Sequence, residues 1–474
     1  MPRFEVRQSA KLNLTSYSGL VLLGQCFEAA QVEAVIDPRL QVSQGMKTSG
    51  VVKAMTGLLS LGKSDFEAIE PFRDDRFFKE ALGLSKAPSW AWMRLRLDAK
   101  AEAIRDLSNE LSVRLLERTE APITPYEGYV RFEIDTFVMD QPAGRRTPRS
   151  GGPERSEGFG AAEHDSGTKK KDIGRTYQGV DGYCPIAGYL GNEGWNVGLE
   201  LRAGTHHSAL ETEYFYEQAF PRVKRLVKAV LMVEDSGFDS ARLLFAKAAE
   251  RDAWAREGRV LEFICTWNPR TQDKAAWVAR AEEAGAFKEV RPGKRVALLD
   301  LQVERVWRKA KRTFRLIIEV TEQTIDKHGQ HLLVPQVELQ GWWTSLALPA
   351  AEVVEHYRYR GTHEQFHAEI KSDLDLEQLP SGKFATNDAI LGLGAFAYNC
   401  PRLIGQLGLT GEIAPIRHPA KRRRLKTVLQ EIMYRAAKSV EHARSLVLDF
   451  GRNFAGHVRV FVALQDRLLR AASP

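Results

Sequence analysis

Apolar residues recur at helical spacing from residue 15 to about 118. The stretches GLVLLGQCFEAAQVEAV, SGVVKAMTGLLSLG and DFEAIEPFRDDRFFKEALGL each read as helix. A longer helix is predicted over KAPSWAWMRLRLDAKAEAIRDLSNELSVRLLER, capped at Pro88-Ser89. Near residue 127 the period changes to two. GYVRFEID (128–135) alternates apolar and polar residues and predicts a half-buried strand ending at Asp135. Residues 141–164, QPAGRRTPRSGGPERSEGFGAAEH, hold one Phe as their only large apolar residue; a disordered insertion is predicted there. Two strands follow, CPIAGYLG and WNVGLELRAG, then a helix, ALETEYFYEQAFPRVKRLVK. AVLMVEDSGF (229–238) is a short apolar run with Glu234 and Asp235 at its carboxyl end, the signature of a buried central strand. A helix (SARLLFAKAAERDAW) and a strand (RVLEFICTW) come next. From 268 to 346 the pattern is mostly β, and 349–371, PAAEVVEHYRYRGTHEQFHAEIK, reads as one helix. The tail from 385 to 474 reads as helical again, and no internal repeat is present.

Strands alternating with helices predict a mixed α/β core. Asp135 and Asp235 each end a strand, and sites in open α/β sheets form at strand carboxyl ends. Two aspartates and a third carboxylate from a flanking helix make a hard oxygen-donor set for Mg²⁺, with Mn²⁺ as substitute. A pair of such ions roughly 3.5–4 Å apart suits phosphodiester chemistry. Each aspartate alone reads as well as a strand-end cap. The helix at 349–371 adds to the case. At about 100° per residue, Tyr357, Arg360, Glu364 and Lys371 fall at azimuths of roughly 0°, 300°, 340° and 320°. One face thus carries an aromatic, two cations and a carboxylate, with Phe366 and Ile370 opposite. Glu364 suits a metal ligand; Arg360 and Lys371 suit phosphates, and Tyr357 suits a nucleic-acid contact.

Charge points the same way. The net charge is +7, with local basic runs GTKKKDIGR (167–175, including Lys169 and Lys170) and KRRRLK (421–426). Such runs suit a polyanion, and each also reads as a solvated face. The four cysteines, Cys26, Cys184, Cys265 and Cys400, are scattered; they are neither a disulfide framework nor a zinc site. Reduced thiols, an N-terminus without an apolar signal core, and no apolar run long enough to span a bilayer predict a soluble cytoplasmic protein.

HEQFH (363–367) also spells H-E-x-x-H, the pattern of a zinc peptidase. The extended form of that motif places Gly and His where this chain has Ile370 and Asp373. Asp373 is then the candidate third ligand, without the turn-forming Gly.

Tyr357-Arg360-Glu364-Lys371, spaced Y-x2-R-x3-E-x6-K, resembles the motif of bacterial insertion-sequence transposases of the DDE class. DSGTKKKDIGRTYQGVDGYCPIAGYLG (165–191), ELRAGTHHS (200–208), VEDSGF (233–238) and AFAYNCPRLIG (395–405) are similar to one branch, the insertion sequence 1380 family. The resemblance covers nearly the whole chain, more weakly in the first hundred residues. It implies a ribonuclease-H-like catalytic core interrupted by a β-rich insertion, with Asp135, Asp235 and Glu364 as the catalytic, metal-binding triad. It implies a helical, DNA-end-binding region at 1–120, the first part of the core at 121–267, the insertion at 268–346, the helix bearing the catalytic Glu and its successor at 347–410, and a helical C-terminal region at 411–474. It implies double-stranded DNA as partner, at transposon ends and target, and a homodimer in the synaptic complex. Trp342-Trp343 then has two readings, a stacking platform for a flipped base or core packing. Two departures stand out. The 141–164 segment splits a run that relatives keep whole, and Glu133 stands where relatives often carry a second Asp. Asp135 is taken as the ligand because it ends its strand, with Asp140 as the alternative. A nuclease on the same core and an inactive DNA-binding relic are the competing functional readings. "THHS" (205–208) reads either as a site-lining segment or as a plain loop.

Overall fold

The strand predicted at 128–135 is an interior strand of a nine-stranded sheet, with both of its faces buried. The computed structural model describes residues 12–141, 170–359, 363–416, 420, 422–442 and 445–473. In chain order the strands are β1 (Val130–Thr136), β2 (Ile186–Leu190), β3 (Trp195–Glu200), β4 (Ala229–Glu234), β5 (Val260–Thr266), β6 (Phe287–Arg291), β7 (Lys294–Trp307), β8 (Ala310–Ile325) and β9 (His331–Thr344). Their spatial order is β6-β7-β8-β9-β5-β4-β1-β2-β3. β1, β4 and β5 run parallel, while β2 and β3 are antiparallel additions on one side. The parallel register pairs Glu133 with Val233, so two residues further on Asp135 and Asp235 leave the same end of the sheet as neighbours.

The half-buried reading of β1 is corrected here. Alternation placed Arg131, Glu133 and Asp135 on a face that the folded chain covers, and all seven residues are buried. The polar ones are paired. Arg131 donates to Glu133 at 3.1 Å and to the His356 carbonyl at 2.8 Å. Satisfied polar groups let a strand be buried on both faces despite its alternating sequence.

The principal helices are α1 (Leu20–Ala30), α2 (Trp90–Arg118), α3 (Thr212–Leu226), α4 (Ala241–Arg256), α5 (Ala350–Arg358), α6 (His363–Ala368), α7 (Phe384–Gly408) and α8 (Ala455–Ala472). Ser89 caps α2 as its sequence predicts, its side chain accepting from the Trp92 amide. α1 and α2 share one continuous apolar core with α7, α8 and the sheet. A smaller apolar cluster, on Leu231, Val233, Ile264 and Trp342, packs beneath Val353 and Val354 of α5. α7 is long and apolar and is buried almost throughout. Among the described residues no helix is long and apolar enough to cross a membrane.

Two further expectations change, and a third falls outside the described residues. The β-rich stretch also contains a helix, Lys274–Glu283, and it continues the core sheet: Trp342, Trp343 and Thr344 of β9 pair with Thr266, Cys265 and Ile264 of β5. The C-terminal region is not all helical. Ala437–His442 and Ser445–Asp449 form a hairpin that Leu14–Thr15 joins; SVEH alternates with a period of two, and SLVLD is a short apolar run. The insertion predicted at 141–164 lies, beyond Gln141, outside the described residues.

α7 holds the far edge of the sheet through two buried contacts. Asn399 bonds both backbone groups of Asn196 on the edge strand β3, next to the point where the β2–β3 register slips. Asp388 accepts from the Leu201 amide at 2.9 Å and pairs with Arg105 of α2 at 3.2 Å. Burial pushes the Asp388 carboxyl up to about 6. A raised carboxyl binds its proton more readily in the folded chain, so its contribution is fully present below its unfolded pKa near 3.8 and is lost as pH rises through about 6. Relative to Asp388→Asn, the native chain is expected to lose about 2–3 kcal/mol of stability between about pH 4 and pH 7. Urea denaturation of both proteins at the two pH values measures it; an unchanged difference would show that Arg105 keeps the carboxylate charged throughout.

Candidate active site

Asp135 and Asp235 are set side by side by the register of β1 and β4. Each side chain is also held locally. Asp135 Oδ1 accepts from the Thr136 amide at 2.8 Å, and Asp235 Oδ1 accepts from the Gly237 amide at 2.8 Å. Thr136 Oγ1 and Ser208 Oγ lie 2.7 Å apart, tying the loop after β3 to the end of β1. Gly237 packs against the same serine: a Cβ there would lie 2.8 Å from Ser208 Oγ and 3.0 Å from Asp235 Oδ1. THHS therefore contributes a strut between the two aspartate loops.

Glu364 stands in the first turn of α6. The predicted single helix over 349–371 is instead two segments, α5 and α6, followed by a π-turn at Glu369–Asp373. A uniform 100° per residue therefore does not hold from Tyr357 to Lys371. The outcome for three of the four residues is the same: Tyr357, Glu364 and Lys371 line one cavity of about 920 Å³ together with Asp135 and Asp235. Arg360 and Lys169 lie outside the described residues.

Buried ion pairs anchor the segment that carries Glu364. Glu369, fully buried, takes Arg402, the Arg422 guanidinium at 3.1 Å and the Leu425 amide at 3.2 Å. Asp373 is gripped by both nitrogens of Arg424 at 3.0 Å. The arginines of the KRRRLK run are thus engaged within the chain: Arg422 and Arg424 as described, and Arg423 with Glu431 at 3.5 Å. This pairing makes the run a set of internal anchors, while Arg424 and Lys426 keep exposed side chains. It also answers the zinc question, since the residue in the third-ligand place is bound to arginine, while the His367 ring packs on Phe137 with centroids 4.4 Å apart. On its other side α6 seats Phe366 against Gly194, whose φ of +74° and missing side chain leave room for the ring.

Lys371 donates to the Val138 carbonyl at 2.8 Å and pairs with Glu377 at 3.0 Å, so it rests against the chain just past Asp135. Lys170 is not a cavity residue; it donates to Gln141 at 2.7 Å, and burial pulls its ammonium below the usual lysine range. Trp342 and Trp343 are both 1% exposed, which corrects the expectation of a stacking platform. The antiparallel register places them at the sheet centre. Trp342 packs 5.8 Å from the Tyr357 ring, and Trp343 Nε1 donates to Asp239 at 2.9 Å, fixing the turn after Asp235. Asp140 is exposed and does not line the cavity, which favours Asp135 over it.

The Transposase DDE domain group 1 family matches residues 164–473. The chain belongs to that family. Membership implies a DNA-cleaving transferase, and DDE transposases generally use divalent metals. Among solved structures, the piggyBac transposase synaptic complex with hairpin DNA is similar at a TM-score of 0.36 and 11% identity, over 82% of this chain and 74% of that one. No curated protein matches.

The donors fit a divalent metal in kind: three carboxylates on one cavity, two of them in adjacent register. They are not a closed cluster. Among the described residues no three His, Cys, Asp or Glu side chains stand close enough together to hold an ion. The aspartates form the fixed half, and Glu364 faces them from a separately anchored helix. One participant escaped the sequence reading. Tyr177 lines the same cavity, its hydroxyl 3.5 Å from the Thr136 carbonyl. Desolvation of that hydroxyl, then the nearby Asp135 carboxylate, push the phenol up to about 12, so it stays a proton donor at neutral pH. Its signal was an aromatic in a polar turn, GRTYQG, which is too common to single out. The Glu369 and Asp373 anchors had no local signal either, because the arginines that hold them are distant in the chain.

Proposed function

We propose that this transposase cuts DNA at the terminal inverted repeats of its own element and joins the freed ends to target DNA. The observation that carries the reading is the convergence of Asp135, Asp235 and Glu364 on one cavity at the carboxyl end of parallel strands. The strand order, with three parallel strands and two antiparallel ones beside them, supports a ribonuclease-H-like core. The Tyr357-Arg360-Glu364-Lys371 spacing supports a DDE-class insertion-sequence transposase, and the stretches 165–191, 200–208, 233–238 and 395–405 support the insertion sequence 1380 branch.

Asp135 and Asp235 would hold Mg²⁺ or Mn²⁺, with Glu364 completing the set. Bound there, the metal supplies Lewis acidity to water and to the leaving oxygen. The protein's own groups do the rest. Lys371 and Arg360 place phosphates. Tyr177, protonated, donates a hydrogen bond to a phosphate oxygen. Water cleaves the phosphodiester and leaves a 3′-hydroxyl; that hydroxyl attacks a target phosphodiester and releases a new 3′-hydroxyl. No protein nucleophile is required. The synaptic complex is proposed to be a homodimer acting on the nucleoid in a bacterial cytoplasm.

The test is incubation of the full chain with Mg²⁺ and linear duplexes carrying the sequences that flank the gene. Cut ends bearing 3′-hydroxyls, together with joined products, are expected. Hydrolysed ends that never join would instead make the protein a nuclease, and end binding without cutting would make it an inactive relic.

A further inference from the structure

A second cavity of about 420 Å³ opens on the other side of Asp235. It shares Thr136, Tyr177 and Asp235 with the first, so the two form one trough across the catalytic end of the sheet, with Asp235 where the arms meet. The two arms differ in charge. The first carries Glu364 and Glu377 beside its cations, whereas the second, away from Asp235, is lined by Arg175, Arg270, His206 and His207 and holds no further carboxylate.

The second arm is a built feature. Its floor is the loop of THHS, which packs on the hairpin bearing Arg175: a Cβ on Gly204 would collide with the carbonyls of Gly174 and Gly182, and one on Gly174 would lie 2.7 Å from Thr205 Cγ2. Ser208 ties that floor to Thr136. Arg175 meets Asp181 at 3.5 Å with its own side chain 69% exposed, a loose surface pair that a phosphate can displace at little cost. Tyr177 stands between the arms as an exposed residue whose hydroxyl end is tucked against Thr136, an aromatic on which a base can rest.

We infer that this arm binds the DNA on the far side of the reacting phosphate from the transposon end, with Arg175 and Arg270 on its backbone phosphates and Tyr177 against the base at the junction. The inference rests on the reading of the site as an end-cutting transposase. The arm then serves twice, holding flanking DNA during cleavage and target DNA during joining.

Fluorescence anisotropy separates this from the parent reading without relying on turnover. The full chain is titrated, in Ca²⁺ to prevent cutting, with a duplex ending at the transposon terminus, with the same duplex extended by flanking DNA, and with a scrambled duplex. The native protein is expected to bind the extended duplex about tenfold more tightly than the exact end. In the double variant Arg175→Ala/Arg270→Ala that gap closes to within about twofold, and the salt slope for the extended duplex falls by about 0.9 per lost phosphate contact. Both arginine side chains are at the surface, and a matching circular dichroism melt confirms the fold of the variant. A gap that persists in the variant, or equal losses on both end duplexes, overturns the assignment. Native protein that treats the ends like the scrambled duplex brings down the end-cutting reading itself, and the arm with it.

Discussion

Asp235→Ala is expected to lower end cleavage by about 10³-fold or more, because a metal-assisted phosphoryl transfer loses several kcal/mol of transition-state stabilisation with its ligand. Asp135→Ala should match it, since the register of β1 and β4 makes the two carboxylates neighbours on one cavity. End binding should survive in both, as removing a negative charge does not weaken a phosphate contact. Asp235 also caps the short turn Ser236–Phe238 through the Gly237 amide, so alanine carries a structural cost of about 1 kcal/mol. Asp235→Asn keeps an acceptor for that amide while losing the charge. Loss of cleavage in both variants assigns the role to the carboxylate; activity that survives in Asp235→Asn would make the residue a turn cap only. Cleavage products on a denaturing gel and end binding by anisotropy are the two measurements.

The second large effect is expected at Glu369, which touches no substrate. Its carboxylate is the buried partner of Arg402 and Arg422. Glu369→Leu leaves the fully buried Arg402 guanidinium without its counter-charge, and breaking such a pair from one side costs about 3–5 kcal/mol. Replacing both partners, Glu369→Leu/Arg402→Met, should recover much of that stability, because a buried pair exchanged for apolar side chains is often neutral. Activity is expected to follow differently. The π-turn between Glu364 and Asp373 is held by these ions, and a shift of about 1 Å in Glu364 costs roughly 10²-fold in rate. The double variant should therefore be stable and slow. Denaturant melts and cleavage rates on the three proteins measure it; a double variant that is stable and fully active would show that apolar packing alone places Glu364.

These two residues also mark what could be read from the chain. Asp235 was legible because a short apolar run ended in a carboxylate. Glu369 was not, because its partners lie 33 and 53 positions away and nothing local announces them. The arginines of KRRRLK looked like a surface for DNA for the same reason: sequence shows the charge and hides the partner. The tryptophan pair had two readings, platform or core packing, and only the pairing of β9 with β5 decided for burial.

The sequence by itself determined the strands and helices of the core and the residue types of the site, because periodicity and strand-end chemistry are local properties of the chain. It also carried, by resemblance, the DDE transposase class. The tertiary structure alone decided that β1 is covered on both faces, that Asp135 and Asp235 sit in register, that the presumed insertion extends the core sheet, and that Tyr177 and the THHS loop stand beside the aspartates. Each of these depends on which distant segments share a sheet edge or a buried charge, and those contacts are set by global packing.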